Sequence, residues 1–134
     1  MNKILFIILI LFAFNSFSQS NETIQTDENV YNTSSLEVRP EFPGGIEKFY
    51  KFISSNFKIP DEIGKEKINV KIFVSFIVEK DGTLSEIKVI KDAGYELGKE
   101  AIRVLNAMPK WNPGELNGNY VRSSYRFPIL INTN

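Results

Sequence analysis

Apolar residues recur along the chain with two different periods, and these periods predict both helices and strands. Apolar side chains at helical spacing mark one face of a first helix: Ile46, Phe49, Tyr50, Ile53 and Phe57. Residues 67–79 alternate between apolar and polar side chains instead, which predicts a strand with one buried face. That face holds Ile68, Val70, Ile72, Val74, Phe76 and Val78.

The next segment predicts a hairpin and then a second helix. Asp81-Gly82 gives the turn of the hairpin, since Gly82 can take a positive φ, and the return strand covers residues 83–91. The second helix is predicted at residues 95–108. Its buried stripe should be Leu97, Ala101, Val104, Leu105 and Met108.

Residues 108–114, with the sequence MPKWNPG, separate this helix from a last strand. Pro109 ends the helix because proline lacks an N–H and clashes with the preceding turn, and Pro113-Gly114 then forces a turn. Trp111 is the only tryptophan of the chain. We expect it to fill one end of the core, with a place on a binding surface as the alternative.

The last strand, residues 120–131, is predicted at an edge of the sheet, because Pro128 lies within it and strand prolines are confined to edges, ends or bulges. An edge strand exposes unpaired backbone groups and can accept an extended peptide as an additional strand. Pro128 and the charges of Arg122 and Arg126 are also features of a protected edge. The pattern alone does not separate these two interpretations.

The order of the predicted elements indicates an α+β fold. We expect a small antiparallel sheet of about three strands with two helices packed on one face. Residues 39–134 form this domain, and its first residues, RPEFPGG, are held extended by two prolines before the glycines turn the chain into the first helix.

The N-terminal residues predict export from the cytoplasm. Residues 4–14 are an unbroken apolar block that follows Lys3, so we expect a signal peptide at residues 1–18, cleaved after Ser18. The block is shorter than the roughly 20 residues of a membrane span, and an uncleaved signal anchor is the alternative. Residues 19–38 hold four acidic residues and no Lys or Arg, and we expect a disordered acidic linker there.

The composition argues against catalysis. The chain has no His and no Cys, which removes the usual acid–base group, the thiol nucleophile and most zinc ligands. Ser123-Ser124 have no base to activate them, and Asp81-Gly82 lack the further oxygen ligands of a calcium loop. We therefore expect no enzyme, no cofactor and no metal, with an exported hydrolase as a distant alternative. The mild positive charge of the domain also predicts no nucleic-acid partner.

Several short segments, taken in order, resemble the TonB C-terminal domain family. They are residues 40–45 (PEFPGG), the hairpin at Asp81-Gly82, residues 100–104 (EAIRV), residues 108–114 (MPKWNPG) and Asn117-Gly118. No single segment is specific, but the ordered set covers about residues 37–132. The resemblance implies a periplasmic domain with two helices and an antiparallel sheet.

The resemblance also implies peptide binding in TonB-dependent transmembrane transport. In this family the domain captures the TonB box, a short segment of outer-membrane transporters, along its last strand. The corresponding positions here are residues 121–131, with residues 39–43 before the first helix contributing. The candidate peptide-binding residues are Arg39, Glu41, Phe42, Val121, Arg122, Ser123, Ser124, Tyr125, Arg126 and Phe127.

The N-terminus departs from the full-length transducer of this family. A transducer keeps an uncleaved transmembrane helix that engages an inner-membrane proton-driven motor, and it crosses the periplasm on a long proline-rich spacer. Residues 19–38 contain no Pro and extend over only about 70 Å. The main hypothesis is therefore a periplasmic peptide-binding domain. The alternatives are an assembly or adaptor domain that forms a homodimer through its edge strand, and a membrane-anchored energy transducer that works with motor proteins.

Overall fold

The computed structural model describes residues 27–63 and 66–133. Its elements, in chain order, are strand β1 (Val30–Asn32), a 3-10 turn (Thr33–Ser35), helix α1 (Ile46–Asn56), strands β2 (Asn69–Val78) and β3 (Leu84–Lys91), helix α2 (Leu97–Asn106), strand β4 (Gly114–Leu116) and strand β5 (Asn119–Asn132). The expected signal peptide at residues 1–18 and the first part of the expected linker, residues 19–26, lie outside the described residues and stay predictions.

The sheet has the strand order β1-β5-β2-β3, and β4 pairs with the start of β5. β2 pairs antiparallel with both β3 and β5, whereas β1 runs parallel to β5. The expected antiparallel sheet of about three strands is therefore wrong in two respects, because the sheet has five strands and is mixed. The two additional strands, β1 and β4, have three residues each, which is too short for a period-two pattern to be recognised.

Both helices pack on one face of the sheet, as expected. One core contains alternate residues of β2 together with residues from both helices: Ile72, Val74, Phe76, Val78, Phe49, Ile53, Leu97, Ala101, Val104 and Leu105. The stripe expected on α2 is confirmed except at Met108, which lies beyond the end of the helix and is half-buried. The helices have 11 and 10 residues, and among the described residues none is long and apolar enough to cross a membrane.

Trp111 fills one end of this core, which confirms the interpretation preferred from the sequence. The side chain is 3% exposed. Its ring lies edge-on to the rings of Phe42, Phe49, Phe76 and Tyr125, with centroids 5.1–5.8 Å apart. Aromatic pairs in this arrangement add about 0.5–1.5 kcal/mol each beyond the burial of area. Trp111 therefore joins α1, β2, β5 and the segment before α1.

Part of the expected disordered linker is ordered against the domain. Within residues 27–38, β1 pairs with β5, and Leu36 is 8% exposed. The backbones of Val38 and Glu115 then exchange two hydrogen bonds, of 3.2 and 2.9 Å. Polar composition predicted disorder here, but a strand that is held through its backbone needs few apolar side chains. Ordered contacts therefore begin before residue 39.

Candidate functional site

β5 is paired with β2 along one side, and its other side is covered only in part. β4 pairs with residues 119–121, and β1 pairs with residues 122–124 on the side away from β2. In the part of the chain that the structure describes, residues 125–131 have no strand on that side. We refer to residues 125–131 as the open edge. The expectation of an edge strand therefore holds for this part of β5, whereas Ser123 and Ser124 lie between β1 and β2.

The backbone groups that face away from β2 are those of even-numbered residues. The carbonyl oxygen of Ser124 accepts a hydrogen bond from the Thr33 hydroxyl, which lies on the β1 side. Backbone groups of successive strand residues alternate in direction, and the β2–β5 register is continuous, so Arg126, Pro128 and Leu130 face the same side as Ser124. Pro128 fits this position because the N–H that it lacks would point away from β2.

A groove of about 500 Å³ runs beside the open edge. One wall consists of Tyr50, Lys51, Ile53, Ser54, Phe57 and Ile59, and the other consists of residues 127–132 of β5. Tyr50 is 52% exposed and Ile59 is 39% exposed, so large apolar surfaces border the groove without cover. The volume lies within the range of ligand-binding clefts.

The apolar face expected on α1 is divided between the core and this groove. Phe49 and Ile53 are buried, whereas Tyr50 faces the groove. The groove residues Tyr50, Phe57 and Ile59 were missed as site residues by sequence reasoning. Their spacing could not reveal them, since a core face and a groove face on the same helix share one apolar stripe.

A polar pocket of about 490 Å³ lies where β1 ends and the open edge begins. Four of the expected peptide-binding residues meet in its lining: Arg39, Ser124, Tyr125 and Arg126. Arg39 and Arg126 are exposed, and neither takes part in the salt bridges found among the described residues. Tyr125 is half-buried, and this burial raises the pKa of its phenol. This end of the open edge is therefore positively charged.

Other expected peptide-binding side chains point into the domain. Phe42, Val121 and Ser123 are buried and do not line the groove, whereas Phe127 is buried but forms part of the groove wall. Glu41 is exposed, but its backbone is paired with Asn112 through hydrogen bonds of 3.0 and 2.8 Å. The structure does not bring these five residues together into one peptide-binding surface.

Arg122 is bound within the domain. Its Nε and Nη2 donate to the two carboxylate oxygens of Glu79 over 2.8 and 3.0 Å, which is a bidentate pair. The hydrogen bond from Arg122 lowers the pKa of the Glu79 carboxyl, and a further hydrogen bond from Ser85 acts in the same direction. The Nη1 of Arg122 also donates to the carbonyl of Glu28 over 3.1 Å. The backbones of Arg122 and Ser124 are both paired with β1.

The open edge can accept an extended chain as an added strand. It offers outward backbone groups of Arg126, Pro128 and Leu130 beside an apolar groove. Within residues 27–63 and 66–133, no group of three or more His, Cys, Asp or Glu side chains could hold a metal ion.

Comparison with known proteins assigns a family to this arrangement. Residues 55–130 match the model of a family described as Gram-negative bacterial TonB protein C-terminal, and this range runs from the end of α1 into β5. A comparison with curated proteins gave no match. Domains of this family are non-enzymatic and periplasmic, and they take part in TonB-dependent transport in general. Because the match covers more than half of the chain, the chain belongs to the TonB C-terminal domain family.

Proposed function

We propose that this chain captures the TonB box of outer-membrane transporters by adding it as a strand to the open edge of β5. The observation that carries the proposal is the unpaired edge at residues 125–131, which lies directly beside an apolar groove. In strand addition the backbone hydrogen bonds supply affinity, and pockets for alternate side chains select the peptide. Both requirements are met at the same place on this surface.

The groove determines which peptide side chains fit. Side chains of a strand alternate between the two faces of a sheet, so every second side chain of an added strand would enter the groove against Tyr50 and Phe57. The others would lie on the opposite face, beside the side chains of Arg126 and Leu130. We therefore expect apolar residues at alternate positions of the bound peptide.

The proposed site retains part of the residue set expected from the sequence. The backbone of Arg126 would begin the contact, and those of Pro128 and Leu130 would continue it, whereas Tyr125 and Phe127 turn their backbone groups toward β2. Arg39 lies in the lining of the polar pocket at the start of the open edge and would meet a polar or acidic peptide end. In this proposal the side chain of Arg122 makes no contact with the peptide, because it is bound to Glu79.

An NMR titration of the chain with a TonB-box peptide tests this proposal. We expect the largest amide shifts at Arg126 and Leu130, and slower hydrogen exchange there once the peptide is bound. A scrambled peptide of the same composition is the control, and the amides of β3 at the opposite end of the sheet are an internal reference. Shifts that are absent, or that appear only at β3, would refute the proposal. Sedimentation in the same buffer separates it from the alternative in which the edge pairs with a second copy.

We further propose that the chain reaches the periplasm through a signal peptide that is cleaved after Ser18. The apolar block at residues 4–14 supports this proposal. The mass of the chain purified from cells provides the test, and we expect a chain that begins at Gln19. A chain that begins at Met1 would instead support a membrane anchor and a role with motor proteins.

A further inference from the structure

We infer that β1 is an internal, displaceable occupant of the peptide site: it covers residues 122–124 of β5 in the free protein and competes with any peptide long enough to need them. The inference rests on the proposed addition of a peptide strand to β5. It divides that site into a part that is open and a part that the chain fills with its own residues.

β1 binds β5 in the way that an added peptide strand would. Its residues lie parallel to β5 in the register Val30↔Arg122, Tyr31↔Ser123 and Asn32↔Ser124. The hydroxyl of Thr33 donates to the Ser124 carbonyl, and the hydroxyl of Ser124 donates to the Tyr31 carbonyl over 3.4 Å. β1 therefore uses the same side of β5 as the open edge, and the open edge begins where β1 ends.

The contacts that hold β1 are few. The strand has three residues, none of them is buried, and Val30 is 43% exposed. The ion pair between Lys80 and Glu28 near its start has a separation of 3.7 Å and an exposed carboxylate, and such pairs contribute little. Segments with few buried apolar contacts open locally without unfolding of the domain. β1 is therefore suited to leave β5 while the rest of the sheet remains intact.

The residues that follow β1 keep it close when it leaves. The chain turns away from β5 at Thr33–Ser35, where the side chain of Asn32 accepts a hydrogen bond from the Ser34 N–H over 3.0 Å. Leu36 is then buried and anchors the segment. Rebinding of β1 is thus intramolecular, which gives it a high effective concentration against a peptide in solution.

Peptide length therefore becomes a property that the site can distinguish. A peptide that needs only residues 125–131 binds beside β1, whereas a longer one must first displace it. The apparent affinity of the longer peptide is its intrinsic affinity multiplied by the fraction of molecules in which β1 has left β5.

A reversible crosslink tests the inference. Asn32 and Ser124 are paired residues on neighbouring strands, within reach of a disulfide, and the chain has no cysteine of its own. In the double variant N32C/S124C, oxidation locks β1 onto β5 and reduction frees it. The reduced form is the matched control for the oxidised form.

Two TonB-box peptides are titrated against both forms, one of about seven residues and one lengthened by about three residues at each end. The longer peptide should bind the reduced form at least about tenfold more tightly than the oxidised form, whereas the shorter one should bind both equally. Equal binding of the longer peptide to both forms would overturn the inference.

Hydrogen exchange without peptide keeps the two proposals separate. The amides of Arg122 and Ser124 should exchange faster in the reduced form than in the oxidised form. If in the reduced form they exchange only with global unfolding, β1 is not displaceable and the inference is wrong. If neither peptide binds either form while these amides behave as expected, the proposed function fails and the local opening of β1 stands.

Discussion

The backbones of Gly82 and Trp111 touch. The Trp111 N–H donates to the Gly82 carbonyl over 2.8 Å, and a Cβ on Gly82 would lie 2.0 Å from the carbonyl oxygen of Trp111. Gly82 also has a φ of 85°, in the region that residues with side chains rarely adopt. The turn of the β2–β3 hairpin and the segment before β4 therefore meet at a point with no room for a side chain.

This contact predicts that Gly82→Ala is strongly destabilising. The backbone strain costs about 1–3 kcal/mol, and the clash with Trp111 adds to it because a backbone must move. Gly94 is a matched control, since its φ is 84° and an added Cβ would meet nothing within 4 Å. In urea unfolding, we expect Gly82→Ala to lose at least about 2 kcal/mol more than Gly94→Ala. Equal losses would show that the close approach is unimportant.

Truncation of Trp111 should remove a large part of the stability. We expect Trp111→Ala to lower the free energy of unfolding by about 3–5 kcal/mol, as for other large buried aromatic residues. Trp111→Phe should cost less than half as much, because the indole Nε1 is buried with no hydrogen-bond partner and its loss breaks no bond. Denaturant unfolding followed by circular dichroism measures both. A loss of under about 1 kcal/mol, together with weaker peptide binding, would place Trp111 on the binding surface instead.

The backbone at Leu130 should be essential for peptide binding, whereas its side chain should not. Leu130 is 63% exposed, and its N–H faces away from β2. Leu130→Pro removes that donor but keeps the pairing with β2, so we expect peptide affinity to fall at least about tenfold. Leu130→Ala keeps the donor and should change the affinity by less than about threefold. Calorimetric titration measures both, and equal effects of the two variants would contradict binding through the backbone.

Tyr50 should contribute to affinity through the groove. Tyr50→Ala removes an exposed ring from the wall that faces an added strand, and we expect a loss of about tenfold in peptide affinity. Tyr95 is 46% exposed and lies outside the groove lining, so Tyr95→Ala is the control and should leave affinity unchanged. Fluorescence anisotropy with a labelled peptide measures the difference. Equal affinities of the two variants would exclude the groove from the site.

The ion pair of Glu79 with Arg122 should make a small contribution to stability that depends on pH. The hydrogen bond from Arg122 lowers the folded-state pKa of Glu79 below its ordinary value of 4.5. The contribution is therefore fully present above about pH 4.5 and is lost as the pH falls through the lower folded pKa. We expect Arg122→Gln to raise the pKa of Glu79 in an NMR titration, whereas Arg126→Gln should leave it unchanged. An unchanged pKa in Arg122→Gln would show that another group stabilises the carboxylate.

The long elements of the fold were predictable because their patterns are long. The alternation through Ile72, Val74 and Phe76 and the stripe through Leu97, Ala101 and Val104 each extend over several periods, and the structure buries all of these side chains. β1 and β4 could not be predicted in this way. Three residues do not define a period. In addition, β1 is held by backbone contacts, which leave no recognisable pattern among its side chains.

The strand that carries the proposed site could be identified from the sequence, but not the part of it that is left unpaired. Residues 122–124 are covered by a segment about 90 positions earlier in the chain, and no local pattern reports such a contact. The burial of Ser123 and Phe127, by contrast, follows from simple alternation along β5. That alternation places both side chains on the face of the sheet that carries the helices, where Phe127 also borders the groove.

Release of β1 would change the distance that can separate the domain from the residues that precede β1. While β1 is bound, the chain is held against the domain from residue 30 onward; once it is released, the next fixed point is Leu36. The segment freed between residue 30 and Leu36 has six residues and can extend over roughly 20 Å. If the N-terminal side is attached to another structure, the exchange of β1 for a longer peptide would lengthen the tether at the moment of capture.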